Sequence, residues 1–393
     1  SHATTAAGAN EAAGAPQQGF PAPRELPPLP EGAGTRDIPS AEDIQYLIAL
    51  VEAGPSGGNF QAWIFRWVDA ELHCLIDTSR GDYFINYENS ELYIGIGAAV
   101  ATLEIAAPQL GFRAEVEPFP RPEQPELAAI VRFVRGAADP GLEALAEQIP
   151  YRISCRKVED RVPLVAEDGA AMKEIVERQG ARLQLVDNED DLADLGKVVG
   201  KMNHMAYLNQ ECHEGIMRIL RWSDEEAAEK RDGILVTSFE LTPLEISGLR
   251  FICNYSVIKF VNNMGAGRAI EGRGQVWAES SSALGLLTVE MPPTQAFFFG
   301  GRALQYLWLE ATRRDLAFHV LGILAFFHRM GRGDGIGFSK SEQATLREME
   351  TIFRRHFELP EGHVPVLMFR VLQPNAKVDR TYRREVDDVL QIG

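Results

Sequence analysis

"AGPSGGNFQAWIF", residues 53–65, follows one apolar helical pattern and precedes an alternating one. Gly54 and Pro55 stop helices, and Gly57, Gly58 and Asn59 tolerate left-handed backbone, so the stretch predicts a helix end followed by a turn. Three glycines and an asparagine set directly before Gln61 and Trp63 also suit a backbone that approaches a flat, polar ligand closely.

Upstream, "SAEDIQYLIALVEAG" (40–54) predicts a helix, with Ser40 as its cap, Asp43 three residues on, and apolar residues at helical spacing. Downstream, "WIFRWVDAELHCLID" (63–77) alternates about Asp69 and Ala70 and predicts a β-hairpin. "NSELYIGIGAAVATLEIAAPQLGF" (89–112) reads as a helix packed closely through Gly95, Gly97, Ala98 and Ala99. "RAEVEPFP" (113–120) and "LAAIVRFVRG" (127–136) read as two more strands, which closes a first unit at 40–145.

The second unit, 146–393, is expected to hold a helix (166–179), a strand (182–186), a long helical stretch (about 190–262) and a buried strand in "SSALGLLTVEM" (281–291). A long helix over "GGRALQYLWLEATRRDLAFHVLG" (300–322), a helix at 340–356, the strand "VPVLMFRVL" (364–372) and a basic terminal segment (376–390) follow. Strands and helices mix without strict βαβ alternation, so the fold class is α+β. Residues 1–39 are rich in Pro, Ala and Gly with few large apolar side chains, and read as a linker or a wrapping arm.

At 393 residues the chain has core enough for about two domains. Its 45% apolar and 24% charged content is that of a globular protein, and its net charge of −17 argues against nucleic acid or an acidic membrane as a partner. Any anion it binds must find local Arg or Lys. Cys74, Cys155, Cys212 and Cys253 form no C-x-x-C pair and read as buried, reduced thiols of a cytoplasmic protein. The longest apolar stretch, roughly 316–327, falls short of the ~20 residues of a membrane span, and the start lacks the basic and apolar regions of a signal peptide. Ser1 and His2 read as a remnant preceding a longer natural chain.

Arg152, Ser154 and Arg156 in "YRISCRKV" (151–158) alternate cation, hydroxyl and cation. On an extended segment that spacing puts all three on one face, where they suit a phosphate or form a solvated basic edge. Arg380, Arg383 and Arg384 make a second cluster, beside Asp379, Glu385, Asp387 and Asp388 that could pair with it. His204, Cys212 and His213 point to different sides of a helix, so no metal site is expected. "GAGRAI" (265–270) lacks the third glycine of a dinucleotide fingerprint and reads as a turn or loop; "GRGDGIGFSKS" (331–341) lacks the Gly-Lys-Ser/Thr of a P-loop and reads as a connection.

The loop at 53–65 resembles the "APSxxNxQPW" signature of the FMN-dependent nitroreductase-like flavoproteins at Pro55, Ser56, Asn59, Gln61 and Trp63. Arg152, Ser154 and Arg156 match that family's R-x-S-x-R segment. The reversed order of the two is similar to the internally duplicated, Acg-like branch, as are "LHCLIDTSR" with "ELYIGIGAAVATLEIAA", "GGRALQYLWLEATRRDL", and "GHVPVLMFRV" with "YRREVDDVL". The resemblance covers about residues 40–390. Ala62 stands where the family has Pro, Gly54 where it has Ala, and Asp315 where it has Gly.

The resemblance implies a nitroreductase-like α+β fold of two unequal halves forming a pseudo-dimer, with a helical lid insertion at about 190–262. It implies FMN as cofactor, held by Pro55, Ser56, Asn59, Gln61, Arg152, Ser154, Arg156, Arg380, Arg383 and Arg384; the residues themselves offer no metal site and no obligatory acid or base. The activity implied is hydride transfer through flavin N5 between NAD(P)H and an unidentified small-molecule or peptide substrate, in a monomer or homodimer. Similar modules occur joined to ThiF-like adenylating domains, so such a domain in the natural chain is another implied partner. A sealed flavin-storage protein, and an interaction module with a decayed flavin site, are the alternatives.

Overall fold

The computed structural model describes residues 19–265, 267–375 and 377–393; the first eighteen residues of the expected arm lie outside them. Helix α1 (Ala41–Glu52) starts at a capping box, with Ser40 Oγ accepting from Asp43 N at 3.2 Å and the Asp43 carboxylate accepting from Ser40 N at 2.8 Å. The loop 53–62 leads into β1 (Trp63–Val68) and β2 (Glu71–Ile76), joined through Asp69 and Ala70, both at positive φ as a two-residue type I′ hairpin requires. Then come α2 (Ser90–Ala106), β3 (Phe112–Pro118), β4 (Leu127–Arg135) and α3 (Pro140–Ala146).

The chain continues through α4 (Ala166–Arg178), β5 (Arg182–Val186), α5 (Glu189–Leu208), α6 (Gln210–Ile219), β6 (Leu220–Arg221), α7 (Asp224–Lys230), β7 (Ile234–Leu235), α8 (Pro243–Phe251), α9 (Tyr255–Asn263) and α10 (Gly267–Glu279). It ends with β8 (Ala283–Glu290), α11 (Pro293–Arg313), β9 (Ala317–Leu321), α12 (Leu324–Arg332), α13 (Lys340–His356), β10 (His363–Leu372), α14 (Val386–Val389) and β11 (Leu390–Ile392).

The α+β expectation is met by two larger sheets. One has the order β11-β1-β2-β4-β3 and is antiparallel except where β11 joins β1 in parallel, Phe65 opposite Leu390. The other, β5-β8-β10-β9, is antiparallel throughout. The C-terminal residues therefore leave the second sheet and complete the first.

Helix α2 lies against β2, β3 and β4, and α11 against β8, β9 and β10, so the two helices face each other between the sheets. They meet at glycines: a methyl on Gly97 would strike the Phe298 carbonyl, and one on Gly301 the Ile94 carbonyl. Across the same crossing Gln305 Nε2 donates to Thr102 Oγ1 at 2.9 Å, and Arg302 grips Glu104 with both arms of its guanidinium. Residues 87–110 are long and apolar enough to cross a membrane, yet the apolar part is mostly buried within the protein. It is the central helix of the core.

Three expected elements differ. The helix expected over 300–322 ends at Arg313, and Asp315 takes φ +55 before β9 begins, the left-handed turn that Gly adopts freely and Asp tolerates. The helical stretch expected at 190–262 extends over 189–279 as six helices, α5–α10, broken by the parallel pair β6–β7. "GRAI", read as loop, opens α10. Residues 19–39 form neither helix nor strand but pack on the body, with Phe20 buried and Leu26 and Ala33 against the main core.

Candidate functional site

The loop at 53–62 is held by its own polar side chains. Gln61 is fully buried: its Nε2 donates to Asn59 O at 3.0 Å and to Arg231 O at 2.9 Å, and its Oε1 accepts from Arg384 N at 2.7 Å. Asn59 Nδ2 donates to Gly233 O and Tyr382 O, while Ser56 Oγ accepts from Gln61 N at 2.8 Å. Gly58, Asn59 and Gln61 all carry positive φ, and these bonds offset the strain at the two non-glycine positions. A Cβ at Gly57 would lie 2.6 Å from Glu91 Oε2, so a larger residue there would push the Glu91 carboxylate aside.

This loop walls a cavity of about 270 Å³. Pro55, Ser56 and Asn59 of the loop, Arg152, Ser154 and Arg156 of the alternating segment, and Arg380 and Arg383 of the C-terminal segment all line it. Leu304 and Trp308 of α11, Ile94, Gly95 and Ala98 of α2, His319 and Gly322 around β9, Ile219, Ile234 and Ser238 of the helical block, and Asp379 also line it. Eight of the ten residues expected to bind a cofactor thus converge. Gln61 and Arg384 stand behind the wall, where Arg384 Nη1 donates to Gln61 O and its Nη2 to Asp388 O.

The two arginines of the alternating segment part company. Arg152 lies over the Trp308 ring at 4.6 Å, gives Nε and Nη2 to Ala53 O and Nη2 to Gly54 O, and feels the charges of Arg383, Arg24 and Arg380. Arg156 lies over the Phe239 ring at 4.8 Å and faces Cys155 and Glu240. Ser154 makes a parallel bridge to Phe318, which anchors this segment beside β9.

Arg380 donates to the carbonyls of Ala22, Arg152 and Tyr151, and Arg383 to that of Gly54. Nε and Nη1 of Arg383 are buried with no acceptor among the described residues. None of Arg24, Arg152, Arg156, Arg380 or Arg383 has a carboxylate within 4.0 Å among those residues, in a chain of net charge −17. Burial, reinforced by the neighbouring guanidiniums, lowers the proton affinity of Arg152, Arg380 and Arg383; arginine nevertheless stays charged. Such a cluster suits an anion, although the Asp379 carboxylate lines the same cavity and Glu52 acts on Arg24 and Arg383 from nearby.

Three residues that line the site, and Glu52 behind it, carry no local sequence signal. Arg24, in the proline-rich arm, lines the same cavity. Glu91, in the first turn of α2, turns its carboxylate toward Gly57 with no hydrogen-bond partner among the described residues, and burial pushes its carboxyl up to about 7. Glu52, at the end of α1, is also pushed up to about 7 by burial, against the pull of Trp63 and of Arg383, Arg384 and Arg24. His319, inside the stretch expected to be helical, is held well below its usual range by burial and by Arg370 and Arg156.

No protein-family model matches the chain. It is 29% identical over 361 residues to an uncharacterized protein of Mycobacterium tuberculosis, covering 88% of this chain and 47% of that protein. It is 28% identical over 152 residues to a second M. tuberculosis protein, whose name places it among NAD(P)H nitroreductases, covering 38% of this chain and 43% of that protein. The chain spans about half the length of these curated relatives or a little less. Among solved structures, an FMN- and NADPH-dependent nitroreductase from a Sphigopyxis strain aligns with 16% identity and a TM-score of 0.37, over 62% of this chain and 96% of its own. An FMN-bound nitroreductase from Desulfitobacterium hafniense aligns with 17% identity and a TM-score of 0.33, over 63% and 96%.

His204 and His213 do not approach each other's partners: His204 Nε2 pairs with Asn262 Oδ1 and His213 Nε2 with Cys253 O. No group of three or more His, Cys, Asp or Glu suited to a metal occurs among the described residues.

Proposed function

We propose that this protein is an FMN-dependent oxidoreductase of the nitroreductase type. The observation that carries the reading is the set of arginines with no carboxylate within 4.0 Å among the described residues that line a cavity together with the glycine loop. The family resemblance of that loop and the name of the second mycobacterial relative support it.

The residues present fit the cofactor. Arg383, with two buried and unmatched N–H groups, together with Arg152, Ser154 and Arg380, would hold the phosphate. Arg156, on Phe239, would serve the other part of the same ligand. Pro55, Ser56 and the backbone at Gly57 would face the ring, with Asn59, Gln61 and Arg384 keeping the loop in shape. Bound FMN would supply hydride chemistry at N5, with NAD(P)H as donor and a small-molecule acceptor. Glu91 would hold a proton at its carboxyl in the cavity wall near neutral pH. The paired layers of α2 on one sheet and α11 on the other support a pseudo-dimer in a single chain. The four free thiols suit a cytoplasmic setting.

The test is the visible spectrum of the purified protein with added FMN, followed by anaerobic NADPH or NADH. Yellow protein that bleaches is the expected result. Yellow protein that resists both donors would make it a flavin store, and protein that takes up no FMN would end the reading.

A further inference from the structure

Residues 20–24, "FPAPR", belong to no helix or strand, yet they are fastened to the site at four points. Phe20 is buried in a small cluster with Ile153, Cys155, Ala317, Leu372 and Val378, which flank Arg152, Ser154 and Arg380 in sequence or in space. Arg24 N donates to Pro150 O at 2.8 Å, and Arg380 Nε donates back to Ala22 O at 2.9 Å. Arg24 Nη2 reaches Thr381 O at 2.8 Å and lines the cavity beside Arg152, Arg380 and Arg383.

Like charges gathered in a partly desolvated place repel, and an anion between them reverses the sign of that interaction. A segment that contributes one of those charges and is held largely by backbone bonds gains stability when the anion arrives. By linkage, whatever detaches the segment weakens the anion in equal measure.

We propose that the N-terminal arm supplies Arg24 as a working member of the anion site, so that a phosphate group bound in the cavity also latches the arm. The inference rests on the flavin reading for the identity of the ligand. The chemistry it requires is only that of a phosphate, from FMN or free.

The Arg24–Glu25 bond is a trypsin site, which makes the latch measurable without activity. FMN is expected to slow cleavage there in the wild-type chain at least tenfold, while riboflavin, which lacks the phosphate, leaves it unchanged. Arg24→Ala is expected to weaken FMN binding at least tenfold with riboflavin binding altered less than twofold, and Arg24→Lys to recover part of the loss. Phe20→Ala, which loosens the arm and keeps the cation, should weaken FMN as well. Unchanged FMN affinity in both Arg24→Ala and Phe20→Ala would overturn the proposal. If the wild-type chain takes up no FMN, inorganic phosphate is the probe: protection of the Arg24–Glu25 bond by phosphate keeps the latch while the flavin reading falls, and no protection removes the latch too.

Discussion

Nε of the fully buried Arg370 donates to Nδ1 of His319 at 3.2 Å, so the imidazole is held neutral with its proton on Nε2. The guanidinium is itself fixed, with Nη1 donating to Trp277 O and Ser280 Oγ and Nη2 to Lys157 O. His319 lines the cavity, and its Nε2 has no acceptor among the described residues. It is a fixed donor there. Imidazole nitrogen NMR is expected to show a single Nε2–H tautomer and no titration between about pH 5 and 9, the range within which a free histidine changes charge. A titration within that range would refute the arrangement.

Trp63 Nε1 donates to Glu52 Oε1 at 2.5 Å, while the other carboxylate oxygen is buried without a partner. Burial is the largest influence and raises the carboxyl to about 7 in the folded chain, above its value of about 4.3 when unfolded. The folded state therefore binds this proton more tightly, so the contribution is fully present at low pH and is lost as pH rises through about 7. Glu52→Gln keeps an acceptor for Trp63 and cannot ionise. Urea unfolding at pH 5 and pH 8 is expected to show the wild type losing roughly 1–3 kcal/mol more than the variant over that interval. Equal losses would mean Glu52 stays ionised.

Glu91 sits beside Gly57 at the cavity wall with its carboxyl raised to about 7 by burial. Under the oxidoreductase reading, Glu91→Gln should lower turnover roughly 10–100-fold and abolish a fall in rate above about pH 7, while FMN affinity stays within about twofold. A pH–rate profile unchanged by the substitution would place the proton source elsewhere.

The α2–α11 crossing leaves no room for a side chain at Gly97 or Gly301. Gly97→Ala has to separate the two helices that join the sheets, with a cost of about 2–4 kcal/mol on the scale of core overpacking and lost contacts. Gly248, with nothing near its Cβ position, is the control: Gly248→Ala in α8 should stabilise by about 0.5–1 kcal/mol. Thermal unfolding of the two variants, compared with wild type, separates the effects.

Much of the fold was readable along the chain because its signals are local. The capping box at Ser40, the alternation about Asp69 and Ala70, and the glycine loop each depend on neighbours within a few residues, and each forms where the pattern puts it. The helix expected through 300–322 failed for the same reason. Leu316 to Leu321 is apolar at almost every position and so carries no period; the ladder to β10 makes it a strand.

The sequence alone determined the two arginine clusters, the loop at 53–65 and an acidic chain in which an anion needs local cations, because these are properties of residue type and spacing. Only the tertiary structure decided that Arg152 joins Arg24, Arg380 and Arg383 while Arg156 turns to Phe239, that Glu52 and Glu91 lie where burial holds their protons, and that the last strand completes the first sheet. Charge repulsion, desolvation and strand pairing act through space between residues as far apart as Arg24 and Arg383, and no local pattern records which segments folding will bring together.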